Sequence, residues 1–254
     1  MNKQLKLYEE AANWDFSNIN YEEEFENSWD MYDEVKKYAD EKSLILDLGT
    51  GGGEKVLSKM PKDVGMIIGT DLSPNMIKTA KENLAKTRDI KAKFLVMDNL
   101  KIEFPDGLFD IVTARHTVIN AKEIYRVLND TGLLIVRGVN QHDCWDMKEL
   151  FNRGQAYKDK TAISEKDYID IKNAGFKKIE KIAIEGNEYY KTPEDLLNLL
   201  SKAPILDDFS EEDNTQGEER KPIEKDIFQE YVRRNMTEKG IRLKRVYYGI
   251  IAKK

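Results

Sequence analysis

Residues 44–54, LILDLGTGGGE, constrain this chain more than any other stretch. A short apolar run carries Asp47 near its end and breaks into Gly49, Gly51, Gly52 and Gly53. That pattern predicts a buried strand, a tight loop and a helix starting on its far side. The glycines leave no side chains in a ligand's path and tolerate positive φ. An α/β sheet binds nucleotide-like molecules at such a turn.

The rest of the chain supports a large α/β domain. Its 254 residues are 40% hydrophobic, enough for a core of that size, and 35% charged, which implies a well-solvated surface. A polar start, Met1–Glu10, and no long apolar run predict a cytoplasmic protein without a membrane partner. Cys144 is the sole cysteine, so no disulfide forms within the chain, and with two histidines no metal site is expected. Charge is unevenly spread over a net −6: residues 1–43 hold twelve acids and five bases, 207–219 seven acids and no base, 239–254 six bases and no acid. The bases gather in the final strand rather than in a broad basic face. Small-molecule substrates are therefore expected ahead of nucleic acid.

Apolar runs at 44–48, 65–70, 91–97, 108–114 and 133–139 alternate with helical patterns. Ser73 and Pro74 mark a helix start, as do Thr192 and Pro193, and Ser164 with Asp167 resembles a capping box. Strands near 176–185 and 241–252 follow. The expected fold is α/β, doubly wound, with a mostly parallel seven-stranded sheet. Residues 1–43 form an N-terminal helical segment, 44–186 the ligand-binding core, 187–240 an inserted helical cap and 241–254 the final strand. Trp14, Phe16, Tyr21, Phe25, Trp29 and Tyr32 are dense for an acidic segment. They serve either as helix-packing core or as a lid over a ligand.

A dinucleotide fingerprint needs a third glycine at position 54. Glu54 stands there, where its carboxylate would repel a diphosphate. No Gly-Lys-Ser/Thr follows the loop, so it is not a P-loop. The loop suits a nucleoside without phosphates.

Asp47–Gly53 (DLGTGGG) resembles the first motif, D-x-G-x-G-x-G, of class I S-adenosylmethionine-dependent methyltransferases. Four further elements follow in order: Ile67–Ser73 with Asp71, then Pro74–Ile77; Met97–Leu100; Phe104–Val112 (FPDGLFDIV); and Glu123–Leu134 (EIYRVLNDTGLL). Together they are similar to the type 11 methyltransferase domain and cover residues 44–140. Asn129-Asp130-Thr131-Gly132 replaces the family's usual K-P-G-G but keeps turn chemistry. The resemblance implies a Rossmann-like fold and S-adenosylmethionine as cofactor, with S-adenosylhomocysteine as product. It implies that Gly49, Thr50 and Gly51 pass close to the methionine part and that Asp47 lies near its amino group. Asp71 would accept from the ribose hydroxyls, Leu72 and Met76 would flank the adenine, and Asp98, with Asn99 beside it, would accept from the adenine amino group. Arg115 belongs to the same cofactor set.

Methyl transfer from a sulfonium is an in-line displacement. It needs alignment first and a base only where the nucleophile holds its proton tightly. His116 is the candidate base, and Arg115 would orient an anionic substrate or pair with an acid. Trp14, Tyr21, His142, Tyr189 and Tyr190 are candidates for the acceptor pocket. Ala114-Arg115-His116-Thr117 lacks the Asn/Asp-Pro-Pro-aromatic motif of DNA amino methyltransferases, and one cysteine excludes the arsenite and two-cysteine RNA mechanisms. The expected activity is methylation of a small molecule by a monomer or homodimer. A non-catalytic S-adenosylmethionine-binding protein and an RNA methyltransferase are the alternatives.

Overall fold

The structure is a computed structural model that describes residues 18–207 and 222–254. Trp14 and Phe16 lie outside them. The strands are β1 (Tyr21–Phe25), β2 (Leu44–Leu48), β3 (Met66–Asp71), β4 (Ala92–Val96), β5 (Phe109–Arg115), β6 (Leu128–Val139), β7 (Lys178–Tyr190), β8 (Met236–Thr237) and β9 (Gly240–Lys253). The helices are α1 (Met31–Tyr38), α2 (Glu54–Lys59), α3 (Pro74–Lys86), α4 (Ala121–Val127), α5 (Trp145–Phe151), α6 (Ile163–Ala174), α7 (Pro193–Lys202) and α8 (Lys225–Asn235).

One sheet takes all the strands, in the order β1-β7-β9-β6-β5-β2-β3-β4, with β8 paired to β9. β4, β3, β2, β5 and β6 run parallel, while β9, β7 and β1 join antiparallel. The sheet is thus mixed, with two strands beyond the expected seven. The additions have a physical reason. β8 is a two-residue pairing, and β1 is an edge strand of sequence YEEEF whose residues are mostly exposed. An edge rich in glutamate carries no apolar alternation to read, and its charge blocks further strand pairing. The N-terminal segment is therefore helical only in part.

Alternate residues of the central strands face opposite cores. Leu46, Leu48, Val112, Ala114, Leu134 and Val136 pack with α4 and α6. Ile45, Ile67, Ile111, Leu133 and Ile135 pack with α1, α2 and α3. Met31, Tyr32 and Val35 of α1 are fully integrated there, so Tyr32 is core and not lid. The chain moves outward from β2 to β3 and β4, then returns to the other side of β2 as β5. This reversal opens a crevice between the loops that follow β2 and β5.

The family-like motifs divide between site and scaffold. Arg126 donates to the backbone carbonyl oxygens of Phe104 (2.7 Å) and Ile102 (2.7 Å) and pairs with Glu123 and Asp106 (both 2.8 Å). It welds the loop before β5 to α4. Asp110 accepts from Leu44 N–H and Asn129 Nδ2, both at 2.7 Å, and so pins three strands. Ser73 and Thr192 cap α3 and α7 as expected. Ser164 and Asp167 do not form a capping box: α6 has no side-chain cap, Ser164 Oγ accepts from Asn140 and Asp167 accepts from Tyr248.

β7 runs through Tyr190, five residues past the expected end, because it pairs with β9 over its whole length. The connection that carries α7 and α8 therefore begins after Tyr190. Both helices pack with α5 against Tyr190, Ile241 and Leu243 in a third core. Beneath it lies a buried charge network. Arg245 Nε and Nη2 donate to the two carboxylate oxygens of Asp143 (2.9 and 3.1 Å), and Nη1 donates to Glu188 (2.8 Å). Asp143 also accepts from Val246 N–H, and Tyr190 donates its hydroxyl proton to Glu188 at 2.5 Å. Removing one partner of such a network leaves an uncompensated buried charge. Asp143→Ala is expected to lower stability by about 3–5 kcal/mol, measured by urea unfolding at unchanged m-value.

Candidate active site

The loop after β2 is held in an unusual backbone shape. Gly49, Gly51 and Gly53 all have positive φ (69°, 56° and 77°). A Cβ on Gly51 would meet open space, so this peptide is the surface that a ligand can approach. Gly51 N–H donates to Asp71 Oδ2, and Ser73 N–H to Asp71 Oδ1, both at 2.9 Å. The carboxylate at the end of β3 is thus fixed against the loop by backbone. Burial raises its pKa, and the two N–H bonds oppose that rise.

Asp47 is buried two residues before Gly49. Thr113 of β5 donates to its Oδ1 at 2.6 Å. Burial pushes the carboxyl up to about 6, although the Thr113 hydrogen bond and the Arg115 charge favour ionisation. The Thr50 hydroxyl and the Asn99 carbonyl oxygen Oδ1 are buried without a hydrogen-bond partner. Such orphans are expected where a ligand completes the bonding. Asn99 Nδ2 donates to Thr117 Oγ1 at 3.0 Å. Asp98 is exposed and accepts from Leu100 N–H. Leu72 presents an exposed side chain beside the loop, whereas Met76 is buried at the start of α3. Glu54 opens α2, and its carboxylate folds back over Gly52, occupying the helix N-terminus that a diphosphate would need.

These groups fit a zwitterionic nucleoside. Asp47 offers a carboxylate to an ammonium, Asp71 one to a diol and Asn99 an acceptor to an amino group. Thr50 and Gly51 leave room for the chain between.

Arg115 ends β5 and faces Arg137 of β6 in register. His116 follows in the left-handed region (φ 53°), a strained conformation for a non-glycine residue. It is fixed three ways. Its N–H donates to Arg137 O (2.8 Å), its ring stacks on Tyr247 (5.4 Å, 16°), and Arg137 Nη1 lies 3.0 Å from Nε2. Since a guanidinium only donates, Nε2 is the acceptor and the ring is neutral. Packing of the ring on Tyr247, then the charges of Arg115 and Arg137, hold the His116 pKa below the usual histidine range, although the residue keeps an exposed edge. Arg137 also lies over Tyr247 at 4.3 Å.

The other candidates lie on β1, at the end of β7 and in the loop after β6. Tyr21 stacks on Tyr190 (5.4 Å, 21°); Tyr21 is half exposed to solvent, and Tyr190 is buried in the Glu188–Arg245 network. Tyr189 carries Lys239 over its ring. His142 is exposed and meets Trp145 edge-on. Trp14 lies outside the described residues. Arg137, Lys55 and Tyr247 were not among the residues singled out by sequence. The signal existed for Arg137, a charge inside the otherwise apolar strand LLIVRGV. Among the described residues no cluster of histidine, cysteine or carboxylates could hold a metal ion, and no helix is long and apolar enough to cross a membrane.

Comparison with known proteins agrees with this geometry. The chain is 36% identical over 111 residues to a 2-methyl-6-phytyl-1,4-hydroquinone methyltransferase from Synechocystis, covering 40% of this chain and 33% of the relative. It is 37% identical over 100 residues to a demethylmenaquinone methyltransferase from Thermus thermophilus, covering 36% and 45%. The chain thus spans a third to a half of the length of these relatives. The YcgJ protein of Bacillus subtilis shares the fold, with a TM-score of 0.57 at 13% identity over 88% of this chain and 97% of that one. Residues 46–136 match the family described as Methyltransferase domain. The glycine loop, Asp71 and the β5 segment all lie inside that match, so residues 46–136 are similar to this methyltransferase family.

Proposed function

We propose that this protein transfers the methyl group of S-adenosylmethionine to a small-molecule acceptor. One observation carries the reading: the Gly51 peptide, open on its outer side, is bonded from behind by Asp71. That places a bare backbone and a carboxylate side by side, as the methionine and ribose parts of the donor require. The relatives named for hydroquinone and menaquinone methylation support a small ring compound as acceptor. The cofactor supplies the activated methyl group and the driving force. The chain's residues bind and orient. Asp47 takes the ammonium, Asp71 the ribose hydroxyls and Asn99 an adenine donor. His116, whose Nε2 is engaged by Arg137, serves as a fixed wall of the acceptor site. A base so weak at neutral pH suits a nucleophile that arrives without its proton.

Calorimetry with S-adenosylhomocysteine tests this directly. Wild type is expected to bind it, and Asp71→Ala to lose about tenfold to a hundredfold in affinity. Absence of binding to the wild type overturns the proposal.

Asp47 adds a pH dependence of known sign. Its folded pKa of about 6 lies above the ordinary carboxylate value. Below about pH 6 it is neutral and cannot pair with an ammonium. Affinity for S-adenosylhomocysteine is expected to fall about tenfold per pH unit as pH drops below 6, and Asp47→Asn to flatten that profile.

The same shift costs stability. The favourable contribution of the protonated form is complete below the unfolded pKa and is lost as pH rises through about 6. Asp47→Asn is therefore expected to raise the stability of the free protein at pH 8, by about 1–3 kcal/mol in urea unfolding.

A further inference from the structure

Arg115 and Arg137 lie side by side at the crevice with Lys55 near them, and among the described residues none of the three is in ion-pair contact with an acid. Arg115 and Arg137 are direct cross-strand partners on parallel β5 and β6. They share the sheet face that carries Asp47 and Thr113. Lys55 is the second residue of α2, on that same face, and the charges of Arg115 and Arg137 both act on it. None of the three forms an ion pair among the described residues. Arg137 spends one donor on His116, a neutral ring, and Arg115 makes no side-chain hydrogen bond there.

Asp47 and Asp30 act on Arg115 and Arg137 from beyond ion-pair distance while accepting from Thr113 and Tyr32 N–H, and Glu188 and Asp143 are neutralised by Arg245. Glu23 acts on Lys55 at a distance longer than an ion pair. Arg245 brings a fourth cation close by, but its two carboxylates cancel it.

Like charges held together with part of their water removed are unfavourable unless a ligand compensates them. The methionine part of the donor brings one carboxylate, enough for one cation. Its ammonium falls to Asp47. Two cations remain, beside the fixed His116 ring and Tyr247. We infer that the acceptor is an anion, presenting a carboxylate, phosphate or ionised phenol oxygen to Arg115, Arg137 and Lys55. This rests on the methyltransferase reading above and narrows its substrate class.

The guanidinium pair suits a planar or tetrahedral oxyanion, which accepts two parallel N–H bonds. If the bound anion is itself the nucleophile, the balance is simple. Its electron pair forms the bond to the methyl carbon, the sulfonium carbon–sulfur bond breaks onto sulfur, and no proton need be removed in the site. The weak basicity of His116 is consistent with that course.

The test uses the full chain saturated with S-adenosylhomocysteine, so that the donor's own carboxylate is in place. Inorganic phosphate and benzoate are titrated against neutral benzamide by calorimetry. Both anions are expected to bind, with benzamide at least tenfold weaker. Arg137→Gln and Lys55→Gln are each expected to weaken the anions at least tenfold and to change S-adenosylhomocysteine affinity less than threefold. Arg137→Lys, which keeps the charge, is expected to recover part of the loss and so separates charge from misfolding. Anion binding that vanishes on saturation with S-adenosylhomocysteine would overturn the proposal, since the cations would then serve the donor alone. Equal affinity for benzoate and benzamide would overturn it too. If S-adenosylhomocysteine fails to bind while phosphate still binds in an Arg137-dependent way, the anion site stands and the methyl-transfer reading falls.

Discussion

The buried bond between Arg245 and Asp143 organises the antiparallel side of this sheet. Asp143 follows β6, Arg245 lies in β9 and Glu188 in β7, so one guanidinium ties two strands and the loop after β6. It also sets the next inward residue of β9. Tyr247 lies against Arg245 on one side and Arg137 on the other, and His116 stacks on it. The strained His116 backbone persists because these contacts over-determine it. The network thus gives the loop after β5 its rigidity. The long extensions of β7 and β9 that carry it also form the floor on which α7 and α8 pack.

The two halves of the crevice are built by different means. The half proposed for the donor is made from backbone: glycine peptides, a fixed carboxylate and orphaned polar atoms that would be costly in a finished core. Its precision comes from the parallel strands β2 and β3, which place Asp47 and Asp71 at their ends. The half proposed for the acceptor is made from long side chains whose charges oppose one another. Backbone selects shape, while clustered cations select charge. One fold can therefore keep the first half constant and vary the second, which is why fold alone does not name a substrate.

The glycine loop and its flanking elements were legible in the sequence because local rules govern them. A strand end, a glycine turn and an N-cap such as Ser73 each involve residues within a few positions, and the structure forms them as expected. The place of Asp71 was legible because an acid there ends an apolar strand, and the structure bonds it to the backbone N–H groups of Gly51 and Ser73. The acceptor half depends on partners far apart in the chain. Arg245 and Asp143 are separated by 102 residues, and Arg137 meets His116 across 21. No short pattern encodes such a meeting. β1 was hidden for another reason: its glutamates look like a solvated helix face, and only pairing with β7 makes them a strand. The extension of β7 through Tyr190 was masked likewise, since the residues that bury Tyr190 come from helices on either side of it in sequence.

Asp47 couples the two halves. It accepts from Thr113 of β5, two residues before Arg115, and lies on the same sheet face as the cations. Burial outweighs both that hydrogen bond and the Arg115 charge, so its carboxyl is held to about 6. A ligand ammonium would lower that pKa by favouring the ionised form. In the proposed reading Asp47 would offset the ammonium, while a bound sulfonium would add its positive charge to Arg115, Arg137 and Lys55. An anionic acceptor would then be attracted most strongly before transfer. Were that anion a singly charged nucleophile, transfer would remove its charge and the sulfonium's together, and the electrostatic hold on the product would be weakest when it must leave.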